Sequence, residues 1–414
     1  MLSERAEVTL GLANPAFESI DRHRENPYSN NNPDGIVKLS TADNNLCKDI
    51  ILEKWNQIAF HDFDANHLFR YPQLGGLDRT KQTIAKFIDR YFSPETPMDF
   101  RKLSLIPGIT SAFDVISCAI CDPGDGILCP APYYLRIYND YKERAGVEII
   151  SVASIENNEL TLEVEQFEAA LKSAQDIGIT VKAILLVNPN NPTGEVHNRN
   201  EIQPIIDWAM RKNLFVLMNE IYAHSVYSES QQFTSVLRYS SKLPERNLLI
   251  WMWGMSKDFC MPGMRFGVVH TENQQVVDCL HRFELFQPTI PLVQFIVEQY
   301  LSDYEWIDNY FDTNRRRLKD ASDYLVGKLK ESGIRTMPAQ AGFFVLADFS
   351  KFLSEPSMEA ERELNKRFEK HGVLLVSGET MRAAEPGWFR IVFTGLRSEI
   401  DEGLKRLKMA LSIE

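Results

Sequence analysis

The sequence predicts an α/β fold in which a mostly parallel sheet lies between helices, followed by a smaller C-terminal α+β domain. Short apolar runs recur between helical stretches, and several lack polar alternation, as expected for strands that are covered on both faces. Because strands that alternate with helices form parallel sheets, these runs define one large domain. They lie at 126–130, 147–152, 183–188, 214–219, 248–253 and 266–270.

A long, charged, amphipathic pattern at 304–330 ends that alternation and predicts a helix that bridges to a second domain. Strands of the second domain are expected near 343–348 and 389–394. A chain of 414 residues is too long for one compact core, which also favours two domains. We therefore predict an N-terminal arm with part of the small domain at 1–48, a large domain at 49–303 and a small domain at 304–414.

Two segments ahead of the predicted sheet have distinct patterns. Residues 21–35 are polar, rich in Asn and interrupted by Pro and Gly, which predicts an extended arm or loop. Phe17, Ile20 and Tyr28 suggest that this region packs against another part of the protein. Farther along, apolar residues spaced at i, i+3, i+4 and i+7 indicate an amphipathic helix at 84–91.

Composition and charge exclude several classes of function. The formal net charge is −12, with acidic and basic residues mixed along the chain, which argues against nucleic acid as the main partner. No apolar run approaches the roughly 20 residues that a membrane helix requires. Residues 1–19 lack the basic start and the apolar stretch of a signal peptide. We therefore expect a cytoplasmic protein with reduced thiols that does not contact membranes.

Cys118 and Cys121 form a C-x-x-C pair, a spacing that occurs in redox and zinc sites. No second pair and no His partner follows at metal-binding spacing, and the surrounding sequence, ISCAICDPGD, is typical of a helix end in the core. We therefore predict no metal site.

The strongest chemical signal is the segment WGMSKDFCMPGMRFG at 253–267. Lys257 follows an apolar run, and a lysine in a partly desolvated pocket loses proton affinity and becomes an amine that can attack a carbonyl. Arg265 follows past a Pro-Gly turn and offers a fixed guanidinium fork to a phosphate. A carbonyl-binding lysine with a phosphate-binding arginine is the combination that pyridoxal phosphate requires.

Other segments place polar or aromatic side chains at the ends of predicted elements. In PGITSAFD, Ile109 and Thr110 precede a helix and offer backbone N–H groups to an anion. Tyr134 follows a strand in PAPYY, where its ring can stack on a flat cofactor. Asn191 follows a strand in VNPNNPTGEV, and Arg390 in GWFRIVF can hold a carboxylate with two hydrogen bonds. Each segment alone is more often structural than functional, but together they indicate one site.

The sequence resembles the fold type I pyridoxal-phosphate enzymes, the aminotransferase superfamily, from about residue 17 to the C-terminus. Within that superfamily it is most similar to the 1-aminocyclopropane-1-carboxylate synthase-like branch, which includes fungal carbon–sulfur lyases. The matching motifs are specific for the cofactor and the fold, and much less specific for the reaction. They are ENPYSNNNPDGIVKLSTADNN (25–45), DPGDGILCPAPYY (122–134), NPNNPTG (188–194), SKDFCMPGMRFG (256–267) and PGWFRIVF (386–393).

The resemblance implies an aminotransferase-like fold type I, pyridoxal 5'-phosphate as the cofactor of the large domain, and a role for each matched residue. Lys257 would form the Schiff base with the cofactor and move the Cα proton. Arg390 would hold the α-carboxylate of a small amino-acid substrate, next to a substrate loop with Ala42 and Asp43. The other matched residues would bind the cofactor: Ile109, Thr110 and Arg265 at the phosphate, Tyr134 on the ring face, Asn191 and Tyr222 at the ring hydroxyl, Asn219 at the ring nitrogen, and Ser256 beside the lysine.

Tyr71, in RYPQLGGLD, matches a position from which such enzymes send a tyrosine into the neighbouring subunit's site. There it would contact the cofactor of the partner subunit. The resemblance therefore implies a homodimer whose sites are shared between subunits.

Four positions depart from the pattern of the family. The family has an aspartate at the ring nitrogen, whereas this chain has Asn219 in NEIY, and a neutral amide gives a weaker electron sink. Gly254 stands where the family often has a hydroxyl residue that contacts the phosphate. Leu74 and Asp43 stand where the synthase branch has a tyrosine and a glutamate, which argues against true cyclopropane synthase activity.

Asn219 favours elimination over transamination. Transamination depends strongly on a protonated ring nitrogen, whereas elimination of a β- or γ-substituent carries electrons out through the leaving group and tolerates a weaker sink. The sequence therefore favours a lyase that acts on an α-amino acid, such as a carbon–sulfur lyase of secondary metabolism, ahead of an aminotransferase. A catalytically silent member of the family is the alternative from another class.

Overall fold

The computed structural model of the protein describes residues 2–153, 155–156 and 159–413; Met1 and Glu414, the outermost residues of the predicted domains, lie outside that range. Its helices are α1 (Glu4–Gly11), α2 (Pro15–Glu25), α3 (Lys48–Asn56), α4 (Asp78–Tyr91), α5 (Ile109–Ile120), α6 (Ile137–Lys142), α7 (Val164–Asp176), α8 (Arg199–Arg211), α9 (Met255–Asp258), α10 (Gln274–Phe283), α11 (Pro291–Leu301), α12 (Tyr304–Glu331), α13 (Met358–Lys370) and α14 (Arg397–Leu411). Its strands are β1 (Val37–Lys38), β2 (Leu103–Ile106), β3 (Gly126–Ala131), β4 (Glu148–Ala153), β5 (Ile155–Glu156), β6 (Glu159–Leu160), β7 (Val181–Val187), β8 (Phe215–Asn219), β9 (Leu249–Gly254), β10 (Gly267–Thr271), β11 (Arg335–Thr336), β12 (Phe344–Asp348), β13 (Val373–Leu374), β14 (Val376–Ser377) and β15 (Trp388–Val392).

A seven-stranded sheet, as far as the described residues show it, forms the centre of the large domain in the order β2-β10-β9-β8-β7-β3-β4. β10 runs antiparallel to β2 and β9, and the strands from β9 to β4 run parallel to one another. Leu217 packs in one hydrophobic core, whereas its neighbours Val216 and Met218 pack in another. Burial on both faces explains the apolar runs without alternation, and the prediction of a mostly parallel sheet between helices is confirmed.

Two features of this sheet are not evident from the sequence. β2 is only four residues long and includes the buried polar residue Ser104, so its apolar run is too short to stand out. The antiparallel direction of β10 also leaves no trace in the apolar pattern, because that pattern reports burial and not strand direction.

A second sheet, antiparallel throughout, has the order β11-β12-β15-β14 in the described part of the chain. It belongs to the smaller C-terminal α+β unit that the sequence predicts, together with α13 and α14. α12 runs unbroken from Tyr304 to Glu331 and packs against β11, β12 and α14. β1 pairs in parallel with β13, with Val37 opposite Val373, so the N-terminal region is tied to the C-terminal one.

The segment 21–35 is not extended throughout, and this part of the prediction is wrong. α2 runs from Pro15 to Glu25, so residues 21–25 are helical. Its polar composition hides good start signals: the Asn14 side chain accepts a hydrogen bond from the Phe17 N–H, and Pro15 occupies the first turn.

The helices can also be tested for membrane character. Across residues 2–153, 155–156 and 159–413, none combines the length and the apolar composition that crossing a lipid bilayer demands.

Candidate active site

A cavity of about 530 Å³ lies at the carboxyl ends of the parallel strands. It is lined by residues of the large domain and of the smaller C-terminal unit. This position follows from the fold, since parallel strands present their following loops at one edge of the sheet. Nearly all predicted site residues line the cavity: Ala42, Asp43, Ile109, Thr110, Tyr134, Asn191, Asn219, Tyr222, Ser256, Lys257, Arg265 and Arg390. Tyr71 does not; its side chain is 96% exposed on another surface.

One end of the cavity has the chemistry to hold an anion. The chain leaves β2, turns at Gly108 with a φ of +92°, and enters α5 with the N–H groups of Ile109 and Thr110 free of helical partners. A Cβ atom at Gly108 would lie 2.7 Å from Nη2 of Arg265, so only glycine lets the guanidinium lie against this turn. Arg265 has no carboxylate partner among the described residues, and its charge remains available for the anion.

The Thr110 hydroxyl is already committed within the protein. It donates a hydrogen bond of 3.2 Å to Oδ2 of Asp140, whose Oδ1 accepts from Arg136 Nη2 at 2.8 Å. Burial raises the pKa of Asp140 to about 6, and the Arg136 charge opposes that rise. The contribution of Thr110 to an anion is therefore its backbone N–H.

Lys257 extends into the middle of the cavity from α9, directly after β9. Its Nζ donates a hydrogen bond of 2.6 Å to the carbonyl oxygen of Ala42. Burial lowers the pKa of Lys257 to about 8, although the nearby Asp43 carboxylate acts in the opposite direction. A substantial fraction of the amine is therefore neutral near physiological pH and can attack a carbonyl carbon.

Arg390 forms the wall on the side of the four-stranded sheet and is 1% exposed. Its Nη1 donates to Asn191 Oδ1 at 2.8 Å and its Nη2 to the Ser40 carbonyl at 2.6 Å. Its Nε has no partner within the described residues. A buried cation held only by neutral acceptors is poised to take a carboxylate.

Asn191 also approaches Tyr222, with 3.5 Å between Asn191 Nδ2 and the Tyr222 hydroxyl. Burial raises the pKa of the Tyr222 phenol, so the hydroxyl stays neutral and can donate. Tyr134 lies at the cavity wall beyond β3, and burial raises its pKa to about 12. These side chains give the middle of the cavity two hydrogen-bonding groups and an aromatic ring.

Asn219, the last residue of β8, lines the floor of the cavity and is 6% exposed. Its Oδ1 accepts a hydrogen bond of 3.2 Å from the backbone N–H of Ile221. Glu220, the next residue, accepts a hydrogen bond from Trp251 Nε1 and does not line the cavity.

Residues 34–407 match the family described as aminotransferase class I and II. The chain belongs to this family. Enzymes of the family and of this fold depend on pyridoxal phosphate.

Relatives of this chain within the family carry synthase names. A Takifugu rubripes protein named 1-aminocyclopropane-1-carboxylate synthase-like protein 1 is 35% identical over 401 residues, which are 95% of this chain and 64% of that protein, less than two thirds of its length. The 1-aminocyclopropane-1-carboxylate synthase 9 of Arabidopsis thaliana is 30% identical over 410 residues, 95% of this chain and 86% of that one. A Mus musculus relative named probable inactive 1-aminocyclopropane-1-carboxylate synthase-like protein 2 is 31% identical over 415 residues, 98% and 71% of the two chains.

Solved structures of the family share the fold of this chain. A double mutant of Thermus thermophilus aspartate aminotransferase superposes with a TM-score of 0.78 over 99% of both chains, at 19% sequence identity. The likeness confirms the aspartate aminotransferase-like fold that the sequence predicts.

The cavity also has walls that the sequence did not reveal. α2 lines its mouth with Glu18, Ser19 and Arg22. Ser19 Oγ lies 2.7 Å from Ser40 Oγ, and Arg22 forms an ion pair of 2.9 Å with Glu369 of α13. The apolar residues Phe17 and Ile20, within a polar stretch, were the available signal that this region packs against the rest of the chain.

The C-x-x-C pair lies away from this cavity. α5 ends at Ile120 and Cys121 follows it, so the predicted helix end is confirmed, but Cys118 is exposed and not in the core. Burial raises the pKa of Cys121 to about 12, which disfavours the reactive thiolate. In the part of the chain that the structure describes, no three His, Cys, Asp or Glu side chains are arranged to hold a metal ion.

Proposed function

We propose that the protein binds pyridoxal 5'-phosphate and acts on an α-amino acid as a lyase that eliminates a β- or γ-substituent. Membership of the family supplies the cofactor and the broad reaction class. The observation that carries the proposal is the presence, in one cavity, of the neutralisable amine of Lys257, the buried guanidinium of Arg390 and the anion site of Arg265.

The residues of the cavity fit the cofactor group by group. The start of α5 with Arg265 suits the phosphate, and Lys257 suits the aldehyde. Asn191 and Tyr222 suit the ring hydroxyl. Tyr134 suits the ring face, and Asn219 suits the ring nitrogen. The close approach of Arg265 to Gly108, which a Cβ would prevent, indicates that the anion site is built into the backbone.

The chain's own residues then have distinct tasks. Pyridoxal phosphate, when bound, would supply an electron-withdrawing ring that accepts electrons from the Cα of the amino acid. Arg390 binds the α-carboxylate and thereby orients the Cα–H bond. The Lys257 amine would take the Cα proton at Nζ. The Ala42 carbonyl holds Nζ on the side of the cavity where the substrate loop lies.

Asn219 favours elimination within this class of reactions. A neutral amide leaves the ring a weaker electron sink, and a leaving group on the side chain compensates by carrying electrons away. A carbon–sulfur lyase fits this requirement, because thiolates are good leaving groups. An aminotransferase is the second candidate, favoured by the likeness in fold to aspartate aminotransferase.

We also propose that the protein is a cytoplasmic homodimer in which Tyr71 enters the partner's site. Tyr71 is 96% exposed, and Phe69 and Phe286 are 84% and 82% exposed. Large exposed apolar side chains of this kind mark protein–protein contacts.

Spectroscopy combined with product analysis tests the proposal. The purified protein is expected to show the visible absorbance of bound pyridoxal phosphate, and Lys257→Ala is expected to abolish the band of the lysine-bound form. A panel of amino acids and cysteine conjugates would then be screened. Release of a 2-oxo acid with ammonia supports the lyase, whereas conversion to the pyridoxamine form, reversed by 2-oxo acids, supports the aminotransferase. Failure to bind the cofactor at all would identify a silent family member.

A further inference from the structure

The amide of Asn219 has a fixed orientation. The backbone N–H of Ile221 can only donate, so the atom 3.2 Å away must be the amide oxygen and not its nitrogen. Asn219 Nδ2 has no hydrogen-bond partner among the described residues. The side chain lines the cavity and is 6% exposed, so an unpartnered donor lies at the cavity floor.

Among the described residues, no carboxylate can replace Asn219 at that place. Glu220, its neighbour, already accepts from Ser235 Oγ at 2.6 Å, from the Val236 N–H at 2.8 Å and from Trp251 Nε1 at 2.6 Å. Those donors lie on the opposite side of the sheet from the cavity, and they hold the carboxylate there.

The other carboxylates that line the cavity lie elsewhere in it: Glu18, Asp43 and Glu369. Asp43 follows Ala42, whose carbonyl accepts from Lys257, so it belongs to the end that takes the aldehyde. Glu369 pairs with Arg22 at the mouth, beside α2 and Glu18. The aldehyde carbon and the nitrogen are on opposite sides of the pyridine ring, and the nitrogen therefore lies far from Asp43.

We propose that Asn219 donates a hydrogen bond through Nδ2 to the ring nitrogen of pyridoxal phosphate and that the protein therefore holds this nitrogen unprotonated. The proposal rests on the proposed binding of the cofactor. An N–H group cannot donate to a ring nitrogen that already carries a proton, because both atoms would present hydrogen. An aspartate at the same place would accept from Ile221 and from a protonated ring nitrogen alike.

The Ile221 N–H is thus a positioning group, which acts by turning the amide. Without it, the amide could rotate and offer Oδ1 to a protonated ring. With it, the cofactor binds as a hydrogen-bond acceptor, and the ring carries one positive charge less than in a site with aspartate. The choice of reaction then depends on the substrate's leaving group more than on the ring.

The test measures the ring nitrogen directly. Holoprotein is prepared with pyridoxal phosphate labelled with ¹⁵N in the ring, and the ¹⁵N resonance is recorded in the wild type, in Asn219→Asp and in Asn365→Asp. The resonance is expected at the unprotonated position in the wild type and at the protonated position in Asn219→Asp, which is nearly isosteric. Asn365 also lines the cavity, at its mouth, so Asn365→Asp adds the same charge away from the ring and is expected to leave the resonance unchanged.

A binding measurement gives a second readout that needs no variant. A cofactor analogue with C–H in place of the ring nitrogen cannot accept the Asn219 hydrogen bond, and it is expected to bind the apoprotein roughly fivefold more weakly than pyridoxal phosphate. A protonated ring nitrogen in the wild type, or equal affinity for the two compounds, would overturn the inference and leave the proposed binding of the cofactor intact. Absence of any bound cofactor would overturn both.

Discussion

Arg390 of β15 donates a hydrogen bond of 2.8 Å to Asn191 Oδ1, and this contact joins the four-stranded sheet to the loop after β7. The same guanidinium donates to the Ser40 carbonyl, next to the loop that holds Lys257. The unpartnered Nε and the remaining Nη hydrogens of Arg390 are left for a substrate carboxylate. Arg390 therefore links the four-stranded sheet to the loop after β7 and to the segment that contains Ser40.

Arg390→Lys tests the carboxylate site. Lysine keeps the charge but loses the planar fork, so the KM for the amino acid is expected to rise by roughly 30- to 100-fold, as for a lost charge-assisted hydrogen bond. The variant should still bind the cofactor, because Arg390 is not among the residues assigned to it. Steady-state kinetics and a spectral titration with substrate measure the two effects. An unchanged KM would show that the α-carboxylate binds elsewhere.

The lowered pKa of Lys257 predicts a pH dependence of cofactor capture. Burial lowers that pKa to about 8, and only the neutral amine attacks an aldehyde. Below this pH the protonated form prevails, so the rate at which apoprotein captures pyridoxal phosphate should rise with pH and level off above about 8. Rapid-mixing absorbance measurements over a pH series check this. A lysine with an ordinary pKa would instead give a rate still rising at the highest pH tested.

Gly254→Ser tests whether a serine hydroxyl at this position could contact the phosphate of the cofactor. A Cβ at Gly254 would lie 2.7 Å from the Phe266 carbonyl oxygen and 3.2 Å from Gly267 Cα, both backbone atoms of β10 and its approach. The substitution should therefore lower the free energy of unfolding by about 1–3 kcal/mol, without tighter binding of pyridoxal phosphate. Gly263→Ala is the control, since a Cβ there meets no atom within 4 Å. A Ser variant of unchanged stability that binds the cofactor more tightly would contradict the packing argument.

Gly254 illustrates which features of the site the sequence predicts and which it does not. The strand containing it was predictable, because LLIWMW is an unbroken apolar run, and Lys257 followed from the motif after it. The closeness of the Phe266 carbonyl was not predictable, since it depends on the register of two antiparallel strands. The α2 wall was missed for a related reason: Arg22 meets Glu369 across most of the chain length, and no local pattern reports such a pair. The orientation of the Asn219 amide was likewise not predictable from the sequence, because it depends on the position of the Ile221 N–H.

Glu284 predicts a pH dependence of stability. This carboxyl is 2% exposed, accepts a hydrogen bond from the Gly75 N–H, and has a pKa raised by burial to about 8. The folded state thus holds the proton more tightly than the unfolded state, so this stabilisation is full below the ordinary carboxyl pKa and is lost as pH rises through about 8.

Urea unfolding at a series of pH values measures this effect. Between about pH 5 and 8, the wild type is expected to lose about 3–4 kcal/mol more of its free energy of unfolding than Glu284→Gln does. Glu305→Gln, at an exposed position of α12, should retain the wild-type slope. Equal slopes in Glu284→Gln and the wild type would mean that Glu284 titrates alike in both states.

Tyr71 predicts that one subunit completes the site of the other. It is exposed in the single chain and lies outside the cavity that holds every other predicted site residue. Lys257→Ala and Tyr71→Ala homodimers should each be impaired. In a mixed dimer, however, one site has Lys257 from the Tyr71→Ala chain and Tyr71 from the Lys257→Ala chain, and is intact. After random mixing, about half of the dimers are mixed and one of the two sites in each is intact. About a quarter of all sites should therefore be restored.

Substrate-induced change in the cofactor absorbance measures that recovery, and sedimentation confirms the dimer. The matched control mixes Lys257→Ala with Arg390→Ala. Both residues line the cavity of a single chain, so each site in the mixed dimer keeps one defect and no recovery is expected. Recovery in the control would show that Lys257 and Arg390 do not serve the same site, and no recovery with Tyr71→Ala would place Tyr71 outside the partner's site. The exposed aromatic surface would then need another partner to explain it.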